Sequence, residues 1–216
     1  MTDRYARIAG VYDALCAVGS FGAVGCCRRD ALRAIRPGDR VLFAGAGTGA
    51  EAVLAARAGA RVTVLDRSPA MLRRAERRAR DAGVTLVAIR SDILDHEAAS
   101  YDTVVANFFL NVFAPDDMRR VLARLTASTA PDGRVVIGDV VLPRGRAARA
   151  ATRLYWAGAS MLFRMLTRNA VHPVYDYDIE LNRLGFRTVD VRRRGCFASS
   201  VAASEHRPEA TEARRS

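Results

Sequence analysis

Apolar residues along the chain follow two rhythms. Short runs rich in β-branched residues, at Val41–Ala44, Arg61–Leu65, Thr85–Ile89, Thr103–Ala106 and Arg134–Ile137, predict strands. Between them the spacing changes to three and four. Met71, Leu72, Ala75 and Ala79 form one stripe, and Met118, Val121, Leu122 and Leu125 form another, each the apolar side of a helix. Ser68-Pro69 supplies an N-cap and a first-turn proline to the first of these helices, and Gly83 ends it. Pro115-Asp116-Asp117 opens the second. Residues 1–36 read as helical up to Pro37-Gly38, and a further helical stretch runs through Ala58. A long helix is predicted at about 147–167 and a shorter one at about 176–184. Phe186–Val191 and Phe197–Ala202 follow closely enough to pair as a hairpin, and from Glu205 the chain is a polar tail.

Strands alternating with helices of this length imply βαβ units, a parallel sheet and helices on both faces. Right-handed crossovers bring the loops after the first and fourth strands together, and a ligand is expected there, at the carboxyl ends of the strands. A chain of 216 residues suits one domain. We expect that domain to cover residues 1–204, with a flexible tail at 205–216.

The net charge of +11 first points to nucleic acid or an acidic membrane. All 34 basic residues are arginine, however, in a chain also rich in alanine, glycine and valine, as GC-rich coding produces. They are spread over many helices without an aromatic stacking platform, so no nucleic-acid partner is expected. Having no lysine excludes a Schiff-base lysine, a P-loop lysine and the Tyr/Lys pair of short-chain dehydrogenases. Cys16, Cys26, Cys27 and Cys196 form no C-x-x-C pair, and the three histidines lack metal-ligand spacing. A reduced, cytoplasmic protein without zinc is the expectation. No apolar run reaches membrane-spanning length, and the N-terminus lacks a secretory pattern.

Glycines at 45, 47 and 49 lie between the first strand and the next helix, where a backbone without Cβ atoms can turn tightly and approach a ligand. Gly45, Gly47 and Ala50 also fit the dinucleotide pattern G-x-G-x-x-A, and a glycine-rich turn can be structural alone. Asp66 ends the second strand, where a carboxylate can accept from both hydroxyls of a ribose. The other reading of Asp66 is a helix cap. Asp92, after the third strand, is suited to an adenine amino group with Ile93 covering the ring, or is a plain loop acid.

Taken together, the glycine loop, Asp66, Ser91-Asp92-Ile93, the stretch Tyr101–Phe108 and Pro131-Asp132-Gly133 resemble a class I S-adenosylmethionine (SAM) methyltransferase over roughly residues 38–142. The resemblance implies an α/β, Rossmann-like sheet of seven strands, mostly parallel with the last antiparallel. It implies SAM as cofactor, with Ala44, Gly45, Gly47, Thr48, Gly49, Asp66, Arg67, Asp92, Ile93, Asn107 and Phe108 in its site. Phe43 stands where most such enzymes carry an acid that helps fix the methionine end. Glu51 is either its replacement or a solvated first-turn residue favoured by the helix dipole.

Ile8-Ala9-Gly10-Val11-Tyr12-Asp13 is similar to an N-terminal element of the ubiquinone/menaquinone C-methyltransferase group, and Asn107–Phe113 falls where those relatives border the methionine end. In this fold the N-terminal helices (1–36) and the insert after strand five (147–184) cover the active site. Both are apolar here, at Ala14–Cys27 and Leu154–Leu166. They suit either core packing or a pocket for a small lipophilic acceptor such as a quinol, a lipid or a natural product. With Arg153, Arg164 and Arg168 nearby, the insert also suits an anionic membrane surface. His172, Tyr175 and Tyr12 are the candidates for orienting or deprotonating an acceptor. Two rival functions remain at this point: an NAD-binding oxidoreductase and a SAM-binding protein without catalysis. Oligomeric state is not legible.

Overall fold

The computed structural model describes residues 12–20, 22–97, 100–167 and 170–205. Its strands are β1 (Arg40–Ala44), β2 (Arg61–Asp66), β3 (Val87–Arg90), β4 (Tyr101–Asn107), β5 (Thr129–Val140), β6 (Phe186–Arg194) and β7 (Phe197–Ser204). They form one sheet in the order β3-β2-β1-β4-β5-β7-β6. The first five strands pair in parallel, and β7 runs antiparallel to both β5 and β6. The expected seven-stranded sheet and terminal hairpin are therefore both present. The order reverses between β1 and β4, so the loops leaving these strands diverge and open a crevice between them.

The helices are α1 (Tyr12–Gly19), α2 (Ala23–Asp30), α3 (Ala50–Arg57), α4 (Pro69–Asp81), α5 (Pro115–Ala127), α6 (Arg146–Thr167) and α7 (Tyr177–Arg183). Ser68 caps α4 as its sequence predicts, its hydroxyl accepting from Met71 N at 3.2 Å. The stripes of α4 and α5 are buried against opposite faces of the sheet. Leu72 and Ala75 join Val41, Phe43, Val62 and Val64 in one core, whereas Met118, Val121, Leu122 and Leu125 join Leu42, Leu65, Val104 and Ile137 in the other.

Two elements differ from the sequence expectation. The N-terminal cover is interrupted: α1 and α2 are separate helices, with Gly22 at φ 79° between them, and a 3-10 turn at Ala31–Ala34 follows. Strand β5 begins at Thr129, so Pro131-Asp132-Gly133 lies inside it rather than before it. The pairing slips between Tyr101 and Thr103 to absorb the irregularity. Gly133 is required there, because a Cβ would stand 2.9 Å from the carbonyl oxygen of Tyr101 and 2.6 Å from the side chain of Thr129.

The cover is tied to the far edge of the sheet by charge. Asp30, at the end of α2, accepts from Arg194 on β6 at 2.8 and 3.1 Å, and this guanidinium holds its carboxyl below the usual range. Arg33 donates to the hydroxyl and the carbonyl of Ser199 at 2.9 and 2.7 Å.

Candidate active site

The crevice starts from the loop after β1. Gly45, Gly47 and Gly49 have φ of 61°, 54° and 74°, a region L side chains avoid. Packing demands two of the three independently of any ligand. A Cβ on Gly45 would stand 2.1 Å from the ring of Phe109, and one on Gly49 would stand 2.5 Å from Cβ of Ala75. The loop is also tied to β2, with Gly45 N donating to the Leu65 carbonyl at 2.8 Å and Gly47 N donating to Asp66 Oδ2 at 3.1 Å. Oδ1 of Asp66 accepts from Ser68 N at 2.8 Å. Asp66 therefore organises both the glycine loop and the entry to α4. Thr48 is buried and accepts from Arg78 at 2.7 Å, which places it in the scaffold of the loop.

At the end of β3, Asp92 Oδ1 accepts from Leu94 N at 3.1 Å, and its Oδ2 lies 3.0 Å from a guanidinium nitrogen of Arg67. This half-exposed pair spans the mouths of β2 and β3. Ile93 is 1% exposed and packs in the core, so a ring laid on it would meet a side chain that the core already covers.

Beside the glycine loop a cavity of about 660 Å³ opens under the cover helices. Gly45, Gly47, Asn107, Phe108 and Asn111 line its floor. Val24 and Arg28 of α2 and Tyr155, Trp156, Leu162 and Phe163 of α6 line its walls, and Phe197 closes one side. Phe108 has φ 52°, which no other non-glycine residue among those described shares with a positive value. Its N–H donates to the Gly138 carbonyl at 2.6 Å and its ring meets Phe197 edge-on at 5.9 Å. Strained backbone of this kind persists where the surroundings over-determine it, and it concentrates at binding sites.

Sequence reasoning missed a buried acid beneath this floor. Asp139, at the end of β5, is 2% exposed. Its carboxylate accepts from Tyr177 Oη at 2.6 Å, from Asn111 Nδ2 at 2.7 Å and from Val140 N at 2.7 Å. Burial pushes the carboxyl up to about 6 against the pull of these donors. The Tyr177 hydroxyl is raised well above its ordinary value by burial and then by that carboxylate. The signal in the sequence was an acid closing an apolar strand, in Ile137-Gly138-Asp139-Val140.

Two of the three candidates for acceptor chemistry, His172 and Tyr175, lie elsewhere. His172 has Nε2 at 2.8 Å from the Asn111 carbonyl and Nδ1 at 2.7 Å from its neighbour's, Pro173. Its ring stacks on Tyr175 with centroids 4.2 Å apart, and Tyr175 Oη donates to the Phe113 carbonyl at 2.9 Å. Neither ring is in the cavity wall. The pair staples the chain after α6 to the loop after β4, with its polar atoms on backbone carbonyls. Tyr12 is in α1, but its side chain, like all of Ile8–Val11 and Arg168, falls outside the described residues.

Glu51, left open by the sequence, is buried, and its Oε2 accepts from Arg28 of α2 at 2.8 Å. It is not the solvated residue of the alternative reading. All four cysteines are free, and Cys27, 1% exposed, is pushed up to about 12 by burial and then by Asp139, which leaves it an inert thiol.

A family model described as a methyltransferase domain matches residues 41–133. A demethylmenaquinone methyltransferase of Clavibacter sepedonicus is 32% identical over 182 residues, 82% of this chain and 72% of that protein. The chain belongs to the class I SAM-dependent methyltransferases. An uncharacterized protein of Mycobacterium tuberculosis is 38% identical over 111 residues, 46% of this chain, and the match spans only 40% of that relative's length. Among solved structures, the SAM-bound magnesium protoporphyrin IX methyltransferase from Synechocystis PCC 6803 superposes with a TM-score of 0.65 at 20% identity, covering 94% of this chain and 90% of its own. An O-methyltransferase family 2 protein from Planctomyces limnophilus, in complex with apigenin, gives a TM-score of 0.71 at 19% identity, covering 93% and 62%. At these identities the two structures speak to the fold of this chain alone.

Proposed function

We propose that this chain transfers a methyl group from SAM to a small lipophilic acceptor, a quinol, a lipid or a natural product. One observation carries the reading: the cavity beside the glycine loop is continuous with it and has an apolar wall contributed by both covers. Such a wall selects a flat or long-chain molecule by burial, at about 25 cal/mol per Å² of apolar area. The likeness to a demethylmenaquinone methyltransferase favours a quinol among the three classes.

The residues fit the cofactor. Asp66, already accepting from Gly47 N and Ser68 N, keeps a carboxylate at the edge of the groove for the ribose hydroxyls. Asp92, with Arg67, borders the adenine, while Gly45, Gly47, Asn107 and Phe108 border the sulfonium end. The sulfonium supplies the activated methyl group. The protein's part is then alignment and exclusion of water: Phe108 floors the cavity, Phe197 closes one side, and α6 roofs it. His172 and Tyr175 act as the staple that fixes the loop carrying Asn111.

The outward side of α6 supports peripheral contact with an anionic membrane. Met161 and Met165 are 46% and 74% exposed and do not line the cavity, and the helix carries four arginines and no acid. No helix among the described residues is long and apolar enough to cross a membrane.

The test is turnover. Incubated with SAM and a panel of quinols, lipids and phenolic metabolites, the protein forms S-adenosylhomocysteine together with one methylated product. Asp66→Ala weakens SAM binding by about 2–4 kcal/mol, the scale of charge-assisted bonds to two hydroxyls left unpaired. Calorimetry with unchanged affinity in the folded variant removes Asp66 from the site.

A further inference from the structure

Among the residues lining the cavity, one side chain carries a full charge: Arg28 of α2. It is 8% exposed, and its partner Glu51 is 7% exposed, 2.8 Å away on the first turn of α3 beyond the glycine loop. A buried ion pair is a weak source of stability, because desolvating two charges offsets their attraction, and an apolar pair of similar volume packs as well. Packing alone therefore does not account for placing this pair beside a largely apolar cavity that its arginine lines. A third group stands beside it. Asn107 donates Nδ2 to the Arg28 carbonyl at 3.4 Å, while its Oδ1 is buried with no partner. A desolvated acceptor left unpaired is a cost to the free protein.

We propose that Arg28, Glu51 and Asn107 form the receiving site for the amino-acid end of SAM. That end is a zwitterion, and the pair presents the opposite charges: Arg28 takes the carboxylate, and Glu51 with Asn107 Oδ1 takes the ammonium. Arg28 and Asn107 line the cavity together with Gly45 and Gly47, where the sulfonium end is proposed to lie, and Glu51 reaches Arg28 from the first turn of α3. The assignment also accounts for Phe43. That ring is 4% exposed and packed among Val41, Val62 and Val105, so β1 offers no acid to the ligand. Glu51 supplies the missing negative charge from the far side of the loop, and α2 supplies its counter-charge. The cover helix is thereby part of the cofactor site as well as the roof of the acceptor cavity. This inference rests on the SAM reading above and deepens it.

The experiment compares two ligands that share a nucleoside and a thioether. S-adenosylhomocysteine carries the amino-acid end, and 5′-methylthioadenosine lacks it. Calorimetry on the full chain is expected to show S-adenosylhomocysteine binding more tightly. Arg28→Met is expected to lower its affinity roughly thirtyfold or more, with 5′-methylthioadenosine changed less than about threefold. Glu51→Gln is expected to act in the same direction by a smaller factor. If both ligands weaken equally in a folded Arg28→Met protein, or neither changes, the assignment is overturned. Should Arg28→Met fail to fold, Arg28→Lys keeps the charge while losing the planar fork. It is expected to weaken S-adenosylhomocysteine selectively, and an equal effect on both ligands overturns the assignment there too. Wild-type protein that binds both ligands with one affinity also overturns this site while leaving the nucleoside site standing. Wild-type protein that binds neither overturns the SAM reading itself.

Discussion

Helices α5 and α6 are both amphipathic, yet they spend their apolar faces in opposite ways. On α5, Met118, Val121, Leu122 and Leu125 are at most 1% exposed, closed against β4 and β5. On α6 the buried residues are Thr152, Ser160 and Thr167, while Leu154, Met161, Leu162 and Met165 are between 46% and 77% exposed. Two of these buried polar residues, Ser160 and Thr167, return their hydroxyls to carbonyls of their own helix, Ala157 and Phe163, at 3.2 and 2.6 Å. α6 is held by few anchors, among them Trp156 Nε1 on the His172 carbonyl at 2.8 Å and Tyr155 Oη on the Gly19 carbonyl at 3.2 Å. The difference teaches that the stripe of α5 is used by folding, whereas the apolar residues of α6 line the cavity or stay exposed.

The largest effect expected from this contrast is on stability. Leu122→Ala removes a fully buried side chain from the α5 core and should cost about 2–5 kcal/mol in urea unfolding. Met165→Ser on α6 should stay within about 0.5 kcal/mol. Equal losses at the two positions would end the distinction between the helices.

Next in size is a pH effect from the acid beneath the cavity. The carboxyl of Asp139 is raised from 3.8 to about 6, so the folded state holds its proton more tightly than the unfolded chain. The unfolded state therefore binds fewer protons across that window, and stability falls as pH rises from 3.8 to about 6, then levels off. Measured against Asp139→Asn, the wild type should lose on the order of 2–3 kcal/mol between these limits. A flat difference would mean that Tyr177, Asn111 and Val140 satisfy the charge fully.

Smaller again are the effects on the acceptor. Phe163→Ala should raise its KM several-fold while leaving S-adenosylhomocysteine affinity nearly unchanged, since the lost surface faces the cavity. Trp156→Ala should do the same but also lower the melting temperature, because its indole N–H holds the chain at His172. Parallel loss of activity and stability in both variants would make α6 another α5.

Smallest in stability, and sharpest in meaning, is the outward face. Met161→Ser with Met165→Ser should leave unfolding unchanged and reduce flotation with phosphatidylglycerol vesicles at low salt. No flotation by the wild type would turn the proposal toward an acceptor delivered from water.

Most of the frame was readable before any coordinates. Ser68-Pro69 marks the start of α4, the glycines at 45, 47 and 49 mark the tight turn between β1 and α3, and the close spacing of the last two strands marks the hairpin. These are local signals, carried by residues within a turn or two of one another: capping, positive φ, side-chain period. Strand β5 is longer than its apolar run predicts, because Pro131-Asp132-Gly133 looks like a turn to any local rule and becomes strand only where the pairing with β4 slips its register to accept it.

The candidate site divides along the same line. By itself the sequence determined which loops gather at the crevice between β1 and β4, since alternation of strands and helices dictates where a parallel sheet places its loops. Only the tertiary structure decided what the individual side chains do there. Arg28 meets Glu51 across 23 positions of chain, and Tyr177 meets Asp139 across 38. His172, a plausible base in a list of residues, is occupied by the Asn111 carbonyl 61 positions away. The apolar period announced that α6 has an apolar face, as it did for α5, but period is a property of one helix and burial is a property of two surfaces. Which surface a helix meets follows from the path of the whole chain, and that is why one stripe became core and the other became a roof.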